Sequence, residues 1–334
     1  MVLSKVVIWG YPLHSHTHSY IHASWVKTFK HLGYETYWFD DDNVPTDFDF
    51  TNCLFITEGY ADKKIPIHNS SVYIVHVGAN LDKYIAEGAL AIDMRYNNYC
   101  HHDSNYNYNL VEKIDKGDVE KVGVMTYYEP RNSVDPIPKM YTAWATDLLP
   151  HEFNENDIYI EPENKMVFIG SISDGNNREY ARLSEGCRAL GIQVIHRDPW
   201  KNPVSFEENR SLIQSSIIVP DIRGSGDPNK ERRGDNGTNH KAIGYVPCRV
   251  FKNISYGKLG ATNSKRVKEI FGDDLIIYDD DEYKLAQKAY ENRNNFDLIK
   301  RQMEFVKKNH TYVNRIDDIL AILAKFEIAL EVKK

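Results

Sequence analysis

Apolar residues run without interruption from Val6 to Trp9 and stop at Gly10, as expected of a central parallel strand covered on both faces. The polar loop Tyr11-Pro12-Leu13-His14-Ser15-His16-Thr17-His18 follows, and then Ile21, Trp25, Phe29 and Leu32 recur at spacings of four, four and three. That period puts all four on one helical face, and Gly33 supplies a left-handed stop. Tyr34 to Phe39, rich in aromatic and β-branched residues, closes a β-α-β unit with Asp40 at its carboxyl end.

The same pattern returns halfway along the chain. Met166 to Ile169 is a buried strand ending in Gly170-Ser171, Arg178 to Leu190 has the composition of a helix, and Gly191 precedes the strand Ile192 to Ile195. Gly10 to Gly33 is 23 positions and Gly170 to Gly191 is 21. Two such units, each opening a half of the chain, predict two Rossmann-like domains in tandem, although β-α-β units are common enough to match by chance. Further strands are expected at Cys53 to Thr57, Val72 to Val77 and Leu90 to Met94. In the second half they are expected at Ile217 to Val219, Gly260 to Thr262 and Leu275 to Tyr278, with helices near Val250 to Tyr256 and Glu282 to Glu291. This alternation implies a mostly parallel sheet in each half. Pro150 and Pro162 bracket a polar, acidic hinge. The expected division is residues 1–155, residues 160–312 and a C-terminal helix over 313–334, its apolar face carrying Ile316, Ile319, Leu320, Leu323 and Leu330 and packing back on the rest.

Length and charge narrow the classes. The 334 residues exceed one ordinary core, and 48 acidic against 41 basic side chains leave a net charge of −7. That balance argues against a nucleic-acid partner held by phosphate neutralisation; the one short basic run, Lys230 to Arg233, is interrupted by Glu231. Cys53, Cys100, Cys187 and Cys248 are far apart and lack CxxC spacing, which suggests neither a disulfide framework nor a zinc site and fits the reducing cytoplasm. No apolar run reaches the roughly 18 residues of a membrane span.

In open parallel sheets ligands gather at the carboxyl ends of strands. After Ile169, the run Gly170 to Gly175 leads into a helix with Arg178 in its first turns, where backbone N–H groups and the helix dipole favour a phosphate. The run is neither GxGxxG nor GxxxxGK[ST], which argues against NAD and against a P-loop; a plain turn is the alternative. Arg249 and Lys252 open a short helix from which both can face a diphosphate, unless Arg249 is merely ion-paired. On the other half, His14, His16 and His18 follow the first strand. His18, nearest the helix start, is the first choice for a general base, with Glu58 as a second base or a sugar hydrogen-bonder. His16 and His76 are acceptor-side candidates, and a capping or core histidine is the alternative for each. HxHxH without a matching carboxylate cluster is weak as a metal motif, and Asp40 to Asp42 and Asp279 to Asp281 read as turn and helix-capping residues, so no metal site is expected.

The helix Arg249-Val250-Phe251 with Tyr256-Gly257, a small-residue strand, Val267 to Phe271, the strand Leu275 to Tyr278, the turn Asp279 to Asp281 and then His310-Thr311-Tyr312 with Arg315 resemble the C-terminal half of GT-B glycosyltransferases, particularly the spore-maturation CgeB-like group. Phe168 to Ser171 resembles that group's donor-side opening. The likeness covers about residues 165 to 325; before residue 150 it is one of fold pattern only. It implies an α/β fold of two Rossmann-like domains facing across a cleft, and an enzyme that moves a sugar from a nucleotide-diphosphate donor, UDP- or GDP-linked, to a hydroxyl of a glycan or small molecule without a metal or other cofactor. A sugar-nucleotide epimerase or a silent binding protein of the same architecture are the alternatives. On this resemblance Gly170, Ser171, Arg178, Arg249, Lys252, Asn253, Ser255 and Tyr256 hold the donor. The family's helix often carries Glu after the phenylalanine, where this chain has Lys252.

Overall fold

A computed structural model describes residues 1–76, 81–97, 99, 109–173, 175–199, 201–226 and 239–333. Most of the stretch from Tyr96 to Tyr108, whose Tyr- and Asn-rich composition reads as an irregular loop, lies outside the described residues, with Cys100, as do Asp174 and the segment 227–238 with its basic run. By internal contacts the chain divides into two α/β units, one of Met1–Asn97, Lys113–Ala143 and Tyr312–Lys334, the other of Asn98–Glu112 and Trp144–Thr311.

In the first unit β1 (Val2–Leu3) is a short separate strand. The main sheet is built from β2 (Lys5–Trp9), β3 (Thr36–Phe39), β4 (Cys53–Glu58), β5 (Val72–His76), β6 (Leu90–Tyr96), β7 (Glu120–Lys121), β8 (Tyr127–Glu129) and β9 (Lys139–Thr142). Their order is β3-β2-β4-β5-β6-β9-β8-β7. Pairing is parallel from β3 across to β9 and antiparallel for β8 and β7. Because β2 is flanked by β3 and β4, the winding direction reverses between β2 and β4, which makes the carboxyl ends of those two strands a topological switch point, the place where open α/β sheets take their ligands. Val6, Val7, Ile8 and Trp9 have no exposed surface, as a central strand requires. The helix Thr17–His31 joins β2 to β3 and buries Trp25 and Phe29. Against Trp25 lies Tyr312, ring centroids 4.7 Å apart, at the start of the helix Tyr312–Ala324, which buries Ile316, Ile319 and Leu323. That helix therefore packs back as expected, but Leu330 is not on it: the helix ends at Ala324, and Ala329–Leu330 forms a strand parallel to β1.

In the second unit β10 (Glu163–Ile169), β11 (Gln193–Arg197) and β12 (Ser216–Ile218) pair in parallel in the order β11-β10-β12. The parallel bridge Asp221↔Thr262 continues toward β13 (Ala261–Thr262), which pairs with β14 (Ile277–Tyr278). First strand between second and third is again the winding, so the expected pair of Rossmann-like units is present, with a second switch point between β10 and β12. Sequence sets the helix boundaries: Ser205, Ser264 and Asp281 accept backbone N–H bonds as N-caps of Phe206–Gln214, Lys265–Phe271 and Glu282–Glu291. Among the described residues no helix is long and apolar enough to cross a membrane.

Candidate functional site

Each switch point carries a cluster of polar side chains. In the first unit, Glu58 is the last residue of β4 and is buried; it pairs in register with His76 at the end of β5. His18 stands in the first turn of the helix that follows β2. Its Nδ1 donates to Glu58 Oε2 at 2.7 Å, which leaves the Nε2 lone pair to accept from the Tyr96 hydroxyl at 3.2 Å. A histidine whose proton is fixed on one nitrogen by a carboxylate, and whose other nitrogen already faces a hydroxyl, has the geometry of an oriented general base.

The surroundings hold that pair in place. His16 is the N-cap of the Thr17–His31 helix, its Nδ1 accepting from His18 N–H at 3.1 Å, and its ring stacks on Tyr11 with centroids 4.0 Å apart. His22 lies one turn after His18, with Nε2 4.0 Å from Glu58 Oε2. Its ring fills the space beside Gly10, where a Cβ would meet His22 Cε1 at 2.1 Å, so only glycine at the end of β2 lets the ring lie there. The His76 ring meets His18 edge-on at 5.3 Å and Tyr96 at 4.8 Å. Burial, more than the neighbouring charges, lowers His22 to about 4 and holds His76 well below the usual histidine value; His16 is lowered by burial and by His18. These three rings are therefore neutral around pH 7.

In the second unit, Gly170 immediately follows β10, and Asp221 and Arg223 follow β12. Asp221 Oδ1 accepts from Arg223 Nη2 at 2.6 Å and lies 3.7 Å from Arg249 Nε. Arg249 comes from the first turn of the Cys248–Ser255 helix, its guanidinium 4.3 Å from the Phe168 ring centroid and against Gly170. Burial first, then the charge of Arg223, pulls Arg249 down to about 10, so it is still protonated at neutral pH. Among the described residues two guanidinium groups thus share one carboxylate, an excess of one buried positive charge. Arg249 Nη1, Arg223 Nε and Asp221 Oδ2 are buried with no hydrogen-bond partner among the described residues. A buried polar atom left in that state costs about 1–3 kcal/mol, a cost that an anion lying against the guanidinium groups would offset for Arg249 and Arg223.

The other donor-side candidates are placed differently. Ser171 Oγ donates to Asp198 at 3.3 Å. Arg178 is largely exposed and pairs with Glu179 at 3.0 Å. Lys252 Nζ lies 3.6 Å from Asp147 Oδ1 and over the Phe206 ring. In and just after the same helix, Asn253 donates to the Val219 carbonyl, Ser255 to the Lys252 carbonyl one turn back, and the hydroxyl of Tyr256, the helix C-cap, to Asp147 at 2.7 Å. Sequence reading passed over Asp221, Arg223 and His22, and it put Tyr96 at the start of an irregular loop whereas Tyr96 ends β6. The available signal for the first two was an Asp-x-Arg just beyond a predicted strand, and for His22 the four-residue spacing from His18; Tyr96 lies two residues past the strand expected at Leu90 to Met94.

No protein-family model matches the sequence, and no curated protein matches it. Solved structures do match in fold. An alpha-glucosyltransferase in complex with UDP superposes with a TM-score of 0.54 at 9% identity, over 98% of this chain and 99% of that one. The same kind of enzyme with UDP and a 13-mer DNA gives 0.51 at 10% identity, over 97% and 100%. The DNA-modifying enzyme beta-glucosyltransferase gives 0.50 at 11% identity, over 98% and 100%. At such identities the likeness is one of fold, and the fold is that of GT-B glycosyltransferases.

Proposed function

We propose that the chain is a nucleotide-sugar glycosyltransferase: it binds a UDP- or GDP-sugar on the second unit and moves the sugar to a hydroxyl of a glycan or small molecule. The observation that carries this reading is the buried excess of cation at Gly170, Asp221, Arg223 and Arg249, at the carboxyl-end switch point of a parallel sheet. Glycosyl transfer builds negative charge on the departing diphosphate, and preorganised cations there stabilise it without a metal. The His18–Glu58 pair supplies the other half of the chemistry. As the acceptor oxygen attacks the anomeric carbon, its proton passes to His18 Nε2; the bond from that carbon to the diphosphate breaks, and the electron pair leaves on the nucleotide. The Tyr96 hydroxyl sits where an acceptor hydroxyl would stand. Although the fold neighbours include DNA-modifying enzymes, a net charge of −7 favours an uncharged acceptor over DNA.

The test is equilibrium binding of UDP and GDP in a chelator-containing buffer, followed by nucleotide release from a panel of nucleotide sugars with sugar, phenol and hydroxylated-DNA acceptors. Binding without divalent metal is expected, and Arg249→Ala should weaken it by about tenfold or more. The variant Arg249→Lys keeps a charge opposite Asp221 as a control for folding. If neither nucleotide binds the wild-type chain, the proposal fails.

A further inference from the structure

The His16-Thr17-His18 segment lacks a carboxylate in its sequence neighbourhood, but the sheet supplies one. Glu58, forty residues from His18 and on the strand next to β2, brings a buried carboxylate to the two imidazoles. One ligand atom from each of His16, His18 and Glu58 lies within 4.8 Å of the others. We infer that these three side chains form a binding site for a divalent transition-metal ion of the zinc class, and that the bound ion switches off the base at His18. The second half rests on the glycosyltransferase reading; the first does not.

Two imidazoles and a carboxylate with a fourth position open are a zinc set, whereas magnesium and calcium prefer oxygen ligands throughout. Around a tetrahedral zinc the ligand atoms stand about 3.3 Å apart, so the site closes by an inward turn of the His16 ring against its capping bond to His18 N–H and its stacking on Tyr11. Glu58 is fixed at a strand end and His18 in a helical first turn, so both are held before any ion arrives. His18 Nδ1, already 2.7 Å from Glu58 Oε2, is the nitrogen that faces the site, and Tyr96 is the partner of the other ring nitrogen, as metal-bound histidines require. With an ion on Nδ1, the ring proton resides on Nε2 and donates to Tyr96. The Nε2 lone pair that would take the acceptor's proton is then absent, and no proton is gained or lost overall.

The experiment uses the full chain stripped with chelator, titrated with Zn2+ against a chromophoric chelator and separately with Co2+ while visible absorption is recorded. Expected are a single ion per chain, intense four-coordinate cobalt bands, and zinc affinity lowered about tenfold or more in both His16→Ala and Glu58→Gln. His31→Ala, at the far end of the same helix, serves as the surface-histidine control, and circular dichroism checks that each variant is folded. Weak six-coordinate cobalt absorption alone, or zinc affinity indifferent to both His16→Ala and Glu58→Gln, would overturn the site. In the nucleotide-release assay saturating Zn2+ should abolish turnover and chelator restore it; turnover indifferent to zinc would overturn the blocking role. Absence of turnover both with and without the ion would instead count against the transferase reading and leave the binding result standing.

Discussion

A Cβ placed on Gly170 would lie 3.1 Å from Arg249 Nη2 and 3.3 Å from its Cζ, so a side chain at position 170 obliges the guanidinium to give way by a few tenths of an ångström. The glycine also has φ +155, where a substituent strains the backbone. Gly170→Ala should therefore displace Arg249 from the end of β10 and lower UDP or GDP affinity by about tenfold, or 1.4 kcal/mol. Since both changes act through one guanidinium, the double variant Gly170→Ala with Arg249→Ala should bind no more weakly than Arg249→Ala alone. Calorimetric titration of the three variants decides it; additive losses would show that the glycine serves something other than the arginine.

The His18–Glu58 pair makes a different kind of prediction. A glutamine at position 58 can donate to His18 Nδ1 and so fix the proton on Nε2, the nitrogen that has to be free. Glu58→Gln should reduce kcat by about a hundredfold or more, as should His18→Ala, and the two together should cost little more than either alone because they act as a unit. If the nucleotide is held on the second unit as proposed, its affinity should stay at the wild-type value in both. Steady-state kinetics with parallel binding measurements test this, and a kcat unaffected by Glu58→Gln would remove the base from the proposal.

How much of this was readable beforehand follows from the range of the interactions concerned. Gly10, His18 and Glu58 could be picked out because a continuous apolar run betrays a buried strand, and the residue just past it must lie at the strand's carboxyl end. Arg249 was legible for a similar reason, as the first polar residue of a helix with a clear apolar face. The placement of Asp221 and Arg223 beside Arg249 was hidden because it depends on β12 lying beside β10, a tertiary fact that no local spacing encodes. Lys252 looked equivalent to Arg249 at three residues' separation, but the carboxylate of Asp147 lies within 3.6 Å of its Nζ, and the same Asp147 draws in the Tyr256 hydroxyl. The antiparallel edge of β7 and β8 left no signal either, since strands of two and three residues are too short to show a period.

Tyr96 donates at 3.2 Å to the His18 Nε2 lone pair, which an acceptor would have to reach in the proposed mechanism. An incoming hydroxyl has to displace that hydrogen bond, which is worth about 1 kcal/mol net. Tyr96→Phe should then lower the acceptor KM by a few-fold, roughly the factor that 1 kcal/mol allows, while nucleotide affinity is unchanged. A raised KM or a collapse of kcat would assign the phenol a part in the reaction itself.

Lys258 lies outside both clusters and is only 7% exposed. Burial alone lowers its ammonium from 10.5 to about 8, and no carboxylate pairs with it among the described residues. At pH 7 the lysine is protonated in the folded and the unfolded chain alike, so the native state carries the full penalty of a desolvated charge, about 3 kcal/mol for that shift. As pH rises from 8 to 10.5 the folded chain loses the proton while the unfolded chain keeps it, so the penalty shrinks and wild-type stability gains on that of a variant without the charge. Lys258→Met should accordingly raise the unfolding free energy at pH 7 by up to about 3 kcal/mol, and the advantage should narrow by pH 10. Urea unfolding of both proteins at the two pH values measures the difference. A gap that stays constant would mean that water reaches the ammonium in the folded chain and that Lys258 pays no such penalty.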